Sequence, residues 1–243
     1  MYELKYLIGL EPVQKAAPLE RGLSYHEAVE AILTGTPVSS ADMPPKVGAM
    51  VKAFERYIAP SLDGKVEDVE KWFEYNTITG HTVVGRVDGI LKDGRVLEHK
   101  TTSGKIDGSY LERLMYDEQI LTYMTACKTD KIVYTVCATP TIRQRAGEDD
   151  EDFARRCVDW YEDDVQQKIA IFHIAKTERE LADFENEQDK MITLMWNCKL
   201  YYRNPGNCMR WGRMCEYAPV CQRYDPAQDY IGFKRRNDDD EKA

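Results

Sequence analysis

Apolar residues recur along the chain with two periods, and the switches between them set the order of elements. In LSYHEAVEAIL (Leu23–Leu33) and KVGAMVKAFERYIA (Lys46–Ala59) they fall at the spacing of one helix face. Ser24 is placed to cap the first helix and Pro60 to stop the second. GTPVSSADMPP between them reads as a loop. KVEDVEKWFEYNT (Lys65–Thr77) reads as a strand, and a hairpin follows from about His81 to Thr102. YLERLMYDEQILTYMTACK (Tyr110–Lys128) returns to helical spacing, with Leu111, Leu114, Met115, Leu121 and Met124 on its buried side. KIVYTVCAT (Lys131–Thr139) is β-branched and alternating, as a central strand would be. Beyond it come a helix in EDFARRCVDWYEDDVQQKI, a short strand in AIFHIAK and a long helix in ERELADFENEQDKMITLMWNCKLYY. The remainder is loop-rich.

Helices, then strands, then helix and strand in alternation predict an α/β domain: a small mixed β-sheet flanked by helices, followed by a Cys-containing, loop-rich C-terminal segment. The expected organisation is a single domain over 1–232, with its core at 81–139 and the cysteine segment at 198–224. Residues 233–243 form a charged tail expected to be disordered. At 243 residues, 43% hydrophobic and 31% charged, the chain suits a soluble globular protein. It has no apolar run of about 18 residues to span a membrane and no secretory h-region, so a cytoplasmic location is expected. In that setting seven cysteines read as thiols or metal ligands rather than disulfides. A net charge of −9 argues against a broad clamp on duplex DNA, though not against a carboxylate site that recruits cations.

The hairpin GRVDGILKDGRVLEHKTT (Gly85–Thr102) carries Asp88 on one strand and Glu98, His99 and Lys100 on the other. A two-residue loop at Asp93-Gly94 would send Asp88 and Glu98 to opposite faces. A three-residue loop, Lys92-Asp93-Gly94 with Gly94 left-handed, sets Leu91 opposite Arg95 and Asp88 opposite Glu98, with Lys100 on the same face. That register also gathers Val83, Val87, Leu91 and Leu97 on the other face. Two carboxylates about 5 Å apart repel each other unless a divalent cation lies between them. The pattern alone also fits a polar sheet face with ion pairs from Glu98 to Arg86 or Lys100.

With its context the hairpin resembles the core motif of the PD-(D/E)XK nucleases, in their RecB-type branch, to which CRISPR-associated RecB-like nucleases are related. That branch joins an Asp strand to an E-x-K strand, then a helix with Q-x-x-x-Y, here Gln119 and Tyr123. A Gly and a His open an upstream helix, here Gly22 and His26. The resemblance runs from about residue 2 to residue 221. It implies that Asp88, Glu98, His26 and the backbone carbonyl of His99 ligate Mg²⁺ or Mn²⁺, that Lys100 serves the attacking water, and that Gln119 and Tyr123 border the site. His81 and His173 have no motif and read as structural.

Many RecB-type nucleases hold an iron–sulfur cluster with one early and three late cysteines. Cys208, Cys215 and Cys221 end in the matching C-x(5)-C, but the gap before it is longer than in the family. The first cysteine is Cys127, whereas in the family one precedes a segment like YELKYLIGLEP. Three readings stay open: the start of the chain lacks the fourth ligand, Cys198 replaces it, or the cysteines pack as small apolar side chains. The spacings are poor for zinc. Cys127, Cys137 and Cys157 read as core.

The family resemblance implies a metal-dependent DNA nuclease, most simply an exonuclease on single strands or ends in recombination, repair or phage DNA processing. It would work alone, as a homo-oligomer or beside a separate recombination partner. Arg143, Arg145, Arg155, Arg156, Arg210, Arg213 and Lys234–Arg236 are candidates to grip phosphates, and Tyr201, Tyr202 and Trp211 to stack on bases. The competing classes are a non-catalytic nucleic-acid-binding module and an iron–sulfur or redox module on the same fold.

Overall fold

The computed structural model describes residues 3–14, 16–198, 204–209, 214–221 and 230–236. The chain forms two compact units, Glu20–Leu194 and a smaller one made of Met1–Leu19 with Met195–Ala243. In the smaller unit strand β1 (Leu10–Pro12) pairs antiparallel with a strand at Phe233–Arg235. Leu4, Leu10, Tyr217 and Val220 form its core, with Cys215 and Cys221 packed against them. Arg236, the last described residue, pairs with Glu11 at 2.9 Å. The tail expected to be disordered from residue 233 is thus ordered at its start, as a strand and the Arg236 ion pair, and 237–243 lie outside the described residues.

The larger unit is a five-stranded mixed sheet flanked by helices, as the element order predicts. Its strands are β2 (Val66–Asn76), β3 (Thr82–Leu91), β4 (Val96–Thr102), β5 (Lys131–Ala138) and β6 (Ile169–Ala175), in spatial order β2-β3-β4-β5-β6. Only β4 and β5 run parallel. Helices α1 (Ala17–Leu33), α2 (Pro45–Tyr57), the short α3 (Ala59–Leu62) and α6 (Asp150–Glu162) contribute to the core on one face, with Tyr25, Met50, Phe54, Leu91, Leu97 and Cys157 in it. Helices α4 (Gly108–Leu114) and α5 (Glu118–Cys127) contribute to the other, with Val87, Val96, Ile120, Tyr123 and Met124. Helix α7 (Glu178–Asn197) follows β6. Its buried Asp189 accepts hydrogen bonds from the Thr79 backbone N–H at 2.8 Å and hydroxyl at 2.7 Å, anchoring the β2–β3 turn. Among the described residues no helix is long and apolar enough to cross a membrane.

Several expectations need correction. Helix α1 begins at Ala17, so Ser24 lies inside it and caps nothing. Pro60 does not end the helical run. The chain breaks at Ile58, and Pro60 sits in the first turn of α3, where its missing N–H leaves no bond unmade. The helix expected at Tyr110–Lys128 is two helices, each with its own cap: Asp107 accepts from the Tyr110 N–H, and Asp117 from the Gln119 N–H. The break exposes Leu111 and Met115 and leaves Leu114, Ile120, Tyr123 and Met124 as the buried side. Cys137 and Cys157 are core residues, while Cys127 is half-buried.

Candidate active site

The hairpin loop is the three-residue one. Gly94 has φ +83°, its N–H donates to the Leu91 carbonyl, and the Leu91 N–H donates to the Arg95 carbonyl, both at 2.8 Å. Leu91 therefore faces Arg95, Ile90 faces Val96 and Gly89 faces Leu97. One more step would set Asp88 against Glu98, but the ladder ends at Gly89. Instead the Asp88 carboxylate takes the backbone N–H of His99 through Oδ2 at 2.7 Å. The two strands part where the carboxylates lie.

A backbone irregularity lies on the far side of β3. Glu70 of β2 has a left-handed backbone, φ +49°, and the β2–β3 pairing is continuous on either side of it, Val69 with Gly89 and Lys71 with Val87. Alternation along β3 slips there: Val87 and Val83 pack on the α5 side, and Leu91 and Leu97 on the α1 side. The four valines and leucines expected on one face are thus divided between two. The slip turns Asp88 toward α1, where His26 Nδ1 stands 3.4 Å from Asp88 Oδ1. His26, Glu70 and Asp88 each offer one ligand atom, all within 4.8 Å of one another. Glu70 also accepts from Arg86 Nε at 2.8 Å. It is the site residue that the motifs missed.

Glu98 is 1% exposed. Its Oε1 pairs with the Lys100 ammonium, while Oε2 is buried without a hydrogen-bond partner. Burial, and next the Asp88 charge, push the Glu98 carboxyl up to about 8, against the pull of Lys100. Burial acts on Asp88 in the same sense, but the hydrogen bond and charge of His26 and the neighbouring His99 outweigh it and hold Asp88 below its ordinary value. Burial works against a proton on His26, yet Asp88 and the Glu98 charge leave its pKa raised. The two carboxylates, which feel each other's charge, are therefore driven apart in proton affinity.

His99 turns its ring into the core. Nδ1 meets Thr135 Oγ1 at 2.5 Å, the ring packs edge-on against Phe54 at 5.4 Å, and burial lowers its pKa to about 4. It is a neutral core imidazole. On α5 Gln119 Nε2 donates to the Tyr123 hydroxyl at 2.6 Å. Burial, then the Glu98 charge, raises the Tyr123 pKa, so the phenol remains a neutral donor.

A divalent cation fits these residues. A buried carboxylate oxygen without a donor is costly unless a cation reaches it. Hard oxygens with one imidazole suit Mg²⁺ or Mn²⁺. By contrast, no three of Cys198, Cys208, Cys215 and Cys221 bring sulfur atoms within 4.8 Å of one another among the described residues, the closeness a single tetrahedral ion needs.

Three of the candidate phosphate contacts are committed elsewhere. Arg155 pairs with Asp152, Arg156 donates to both Glu148 oxygens at 2.6 Å, and Arg236 pairs with Glu11. Arg143 and Arg145 are exposed. Arg210, Arg213, Tyr201, Tyr202 and Trp211 lie outside the described residues.

The sequence model of the PD-(D/E)XK nuclease superfamily matches residues 1–222. Among solved structures the chain is similar to a phage-related exonuclease from Haemophilus somnus 129PT, with 18% identity over 79% of this chain and 94% of that one and a TM-score of 0.38. It is also similar to the alkaline exonuclease LHK-Exo from Laribacter hongkongensis, with 18% identity, 76% and 82% coverage and a TM-score of 0.38. No curated protein sequence matches.

Proposed function

The chain belongs to the PD-(D/E)XK nuclease superfamily, and from that premise we propose that it is a divalent-metal-dependent deoxyribonuclease acting as an exonuclease on DNA ends or single strands. The observation that carries this reading is the buried, unpartnered Oε2 of Glu98 beside the His26–Asp88 pair. Asp88, Glu98, His26 and the His99 carbonyl are the proposed ligands of Mg²⁺ or Mn²⁺. His26 next to Asp88, and the Gln119–Tyr123 pair on the helix after β4, favour the RecB-type branch.

When bound, the cation supplies Lewis acidity, neutralising charge on the scissile phosphate and making water a better nucleophile. The remaining work belongs to side chains. Lys100 gives one N–H to Glu98 Oε1, which fixes the ammonium while its other N–H groups hold the attacking water in line with phosphorus. Asp88 is oriented by the His99 backbone N–H, a bond that survives only while β3 and β4 stay parted. Because Gln119 donates to the Tyr123 oxygen, the phenol proton is left to a phosphate oxygen. Single strands or ends suit a chain of net charge −9 better than a long duplex footprint does.

The test uses end-labelled linear DNA, single- and double-stranded, and covalently closed circular duplex, each with Mg²⁺ or Mn²⁺. Release of labelled nucleotides from linear DNA with the circle intact is the expected result. No cleavage of any substrate by the wild-type protein refutes nuclease action, and cleavage of the circle refutes the exonuclease assignment.

A further inference from the structure

Beyond the point where β3 and β4 part, β2 and β3 run on as a two-stranded arm whose two faces are unlike. On one face Phe73, Tyr75 and Val83 pack into the core that α5 contributes to, and the Tyr75 hydroxyl donates to Gln188 of α7. On the other, Trp72 lies opposite Arg86 and Glu74 opposite Val84, and all four are exposed. This second face is the one that carries Asp88. Arg86 precedes Asp88 by two residues on the strand, and its Nε reaches Glu70 Oε2 at 2.8 Å. Trp72 stands one strand over and two residues along from Asp88, about 8 Å between main chains. We propose that Trp72 is a platform on which an unpaired base of the DNA strand stacks as that strand enters the site. The proposal deepens the nuclease reading above and rests on it, and no motif gives Trp72 a role.

A single exposed apolar side chain is ordinary and asks for no explanation. Trp72 differs in three ways. The indole is 56% exposed, and Val84, 52% exposed, is its diagonal neighbour on the same face, so the surface beside the site is apolar at its centre. Its main chain is held in place. Phe73, the next residue, lies over Gly85, where a Cβ would fall 2.5 Å from the ring, and meets Tyr123 edge-on at 5.7 Å. An aromatic side chain on a fixed strand brings a large contact area at a small cost in freedom. The charges around it also nearly cancel, since Arg86 is tied to Glu70 and Glu74 stands opposite Val84. Such a surface offers phosphates little and offers bases a face to stack on. Only an unpaired base exposes its own faces, so the platform selects single strands and frayed ends. This suits a chain of net charge −9, whose affinity need not come from a basic footprint.

Binding is read by fluorescence anisotropy of labelled single-stranded DNA and blunt duplex in CaCl₂, with the DNA shown intact on denaturing gels. Full-length wild type is compared with Trp72→Ala, Trp72→Leu and Trp72→Phe. Trp72→Ala should weaken single-strand binding about 5- to 100-fold, the range for one stacked base, and leave duplex binding within about twofold. Trp72→Phe, which keeps a ring, should recover most of the loss, and Trp72→Leu, which keeps only apolar volume, should not. A single abasic residue is then moved along the strand. At one position it should weaken wild type as much as Trp72→Ala does and leave Trp72→Ala unaffected, since the two changes remove one contact. Single-strand binding by Trp72→Ala within about twofold of wild type overturns the proposal. So does an equal loss on duplex, and so does recovery by Trp72→Leu, which would make the indole a patch of apolar surface only. The absence of any abasic position that weakens wild type overturns it without recourse to a variant. Digestion in Mg²⁺ or Mn²⁺ keeps the two ideas apart. Digestion by wild type with unaltered binding by Trp72→Ala defeats this proposal alone, and stacking without digestion by wild type defeats the nuclease reading alone.

Discussion

Replacing Glu98 by Gln should make the metal-free protein less sensitive to alkaline pH while destroying its use for metal. Burial keeps Glu98 protonated up to about 8, whereas its ordinary value is 4.5. Between those values the native state binds more protons than the unfolded chain, so stability falls as pH rises. His99 acts in the opposite sense: its pKa is lowered from 6.5 to about 4, so its contribution grows through that interval and is complete above 6.5. The clean window is therefore pH 6.5 to 8. There Glu98 contributes a loss on the order of 1–2 kcal/mol, with a slope that shrinks toward pH 8. His26, whose pKa is raised, adds in the same direction, since its contribution is lost as pH rises through its folded value. Urea unfolding followed by circular dichroism in EDTA at pH 6.5 and 8 should show this loss in wild type and most of it abolished in Glu98→Gln. Saturating Mn²⁺ should remove the alkaline loss in wild type and leave the variant unmoved. Equal slopes for both proteins in EDTA would refute the account of Glu98.

Other outcomes follow from the packing. Gly48→Ala should destabilise by about 1–3 kcal/mol, because a Cβ there would lie 2.3 Å from the Ser40 carbonyl oxygen, which is backbone and cannot swing aside; thermal melting reads this. Tyr123→Phe should cost about 1 kcal/mol for the lost Gln119 bond and lower the cleavage rate more than substrate affinity, measured by single-turnover digestion. Asp189→Ala removes two charge-assisted bonds to Thr79 and should raise hydrogen exchange in the β2–β3 turn while sparing β4 and β5.

The hairpin was readable because its turn carries its own geometry: Lys-Asp-Gly with a left-handed Gly94 admits one register, and the structure has it. The order of elements in the larger unit was readable because β3 and β5 showed their strand character over many residues, whereas the three-residue strands Leu10–Pro12 and Phe233–Arg235 are too short to show a period. What escaped was local and tertiary. The helix break at Met115–Asp117 is set by an aspartate cap inside an unbroken apolar pattern, and periodicity does not register caps. Glu70 sits among so many charges that composition hides it. One trace remained, because apolar residues in β2 fall at Val66, Val69, Trp72, Phe73 and Tyr75, and strict alternation fails on both sides of Glu70. The division of Val87 from Leu91 needed the same clue. The inward turn of the His99 ring follows from its parity with Leu97 on β4.

The most direct measurement is the rate of linear DNA digestion by Asp88→Ala against wild type at saturating Mn²⁺. Asp88 is a proposed metal ligand, held in place by His26 and the His99 backbone N–H. Even outer-shell partners of metal ligands typically cost 10- to 100-fold, so the loss should exceed about 100-fold, with the variant as well folded by circular dichroism as wild type. Digestion by Asp88→Ala within a few-fold of wild type would contradict the assignment of this hairpin as the place where the chemistry occurs.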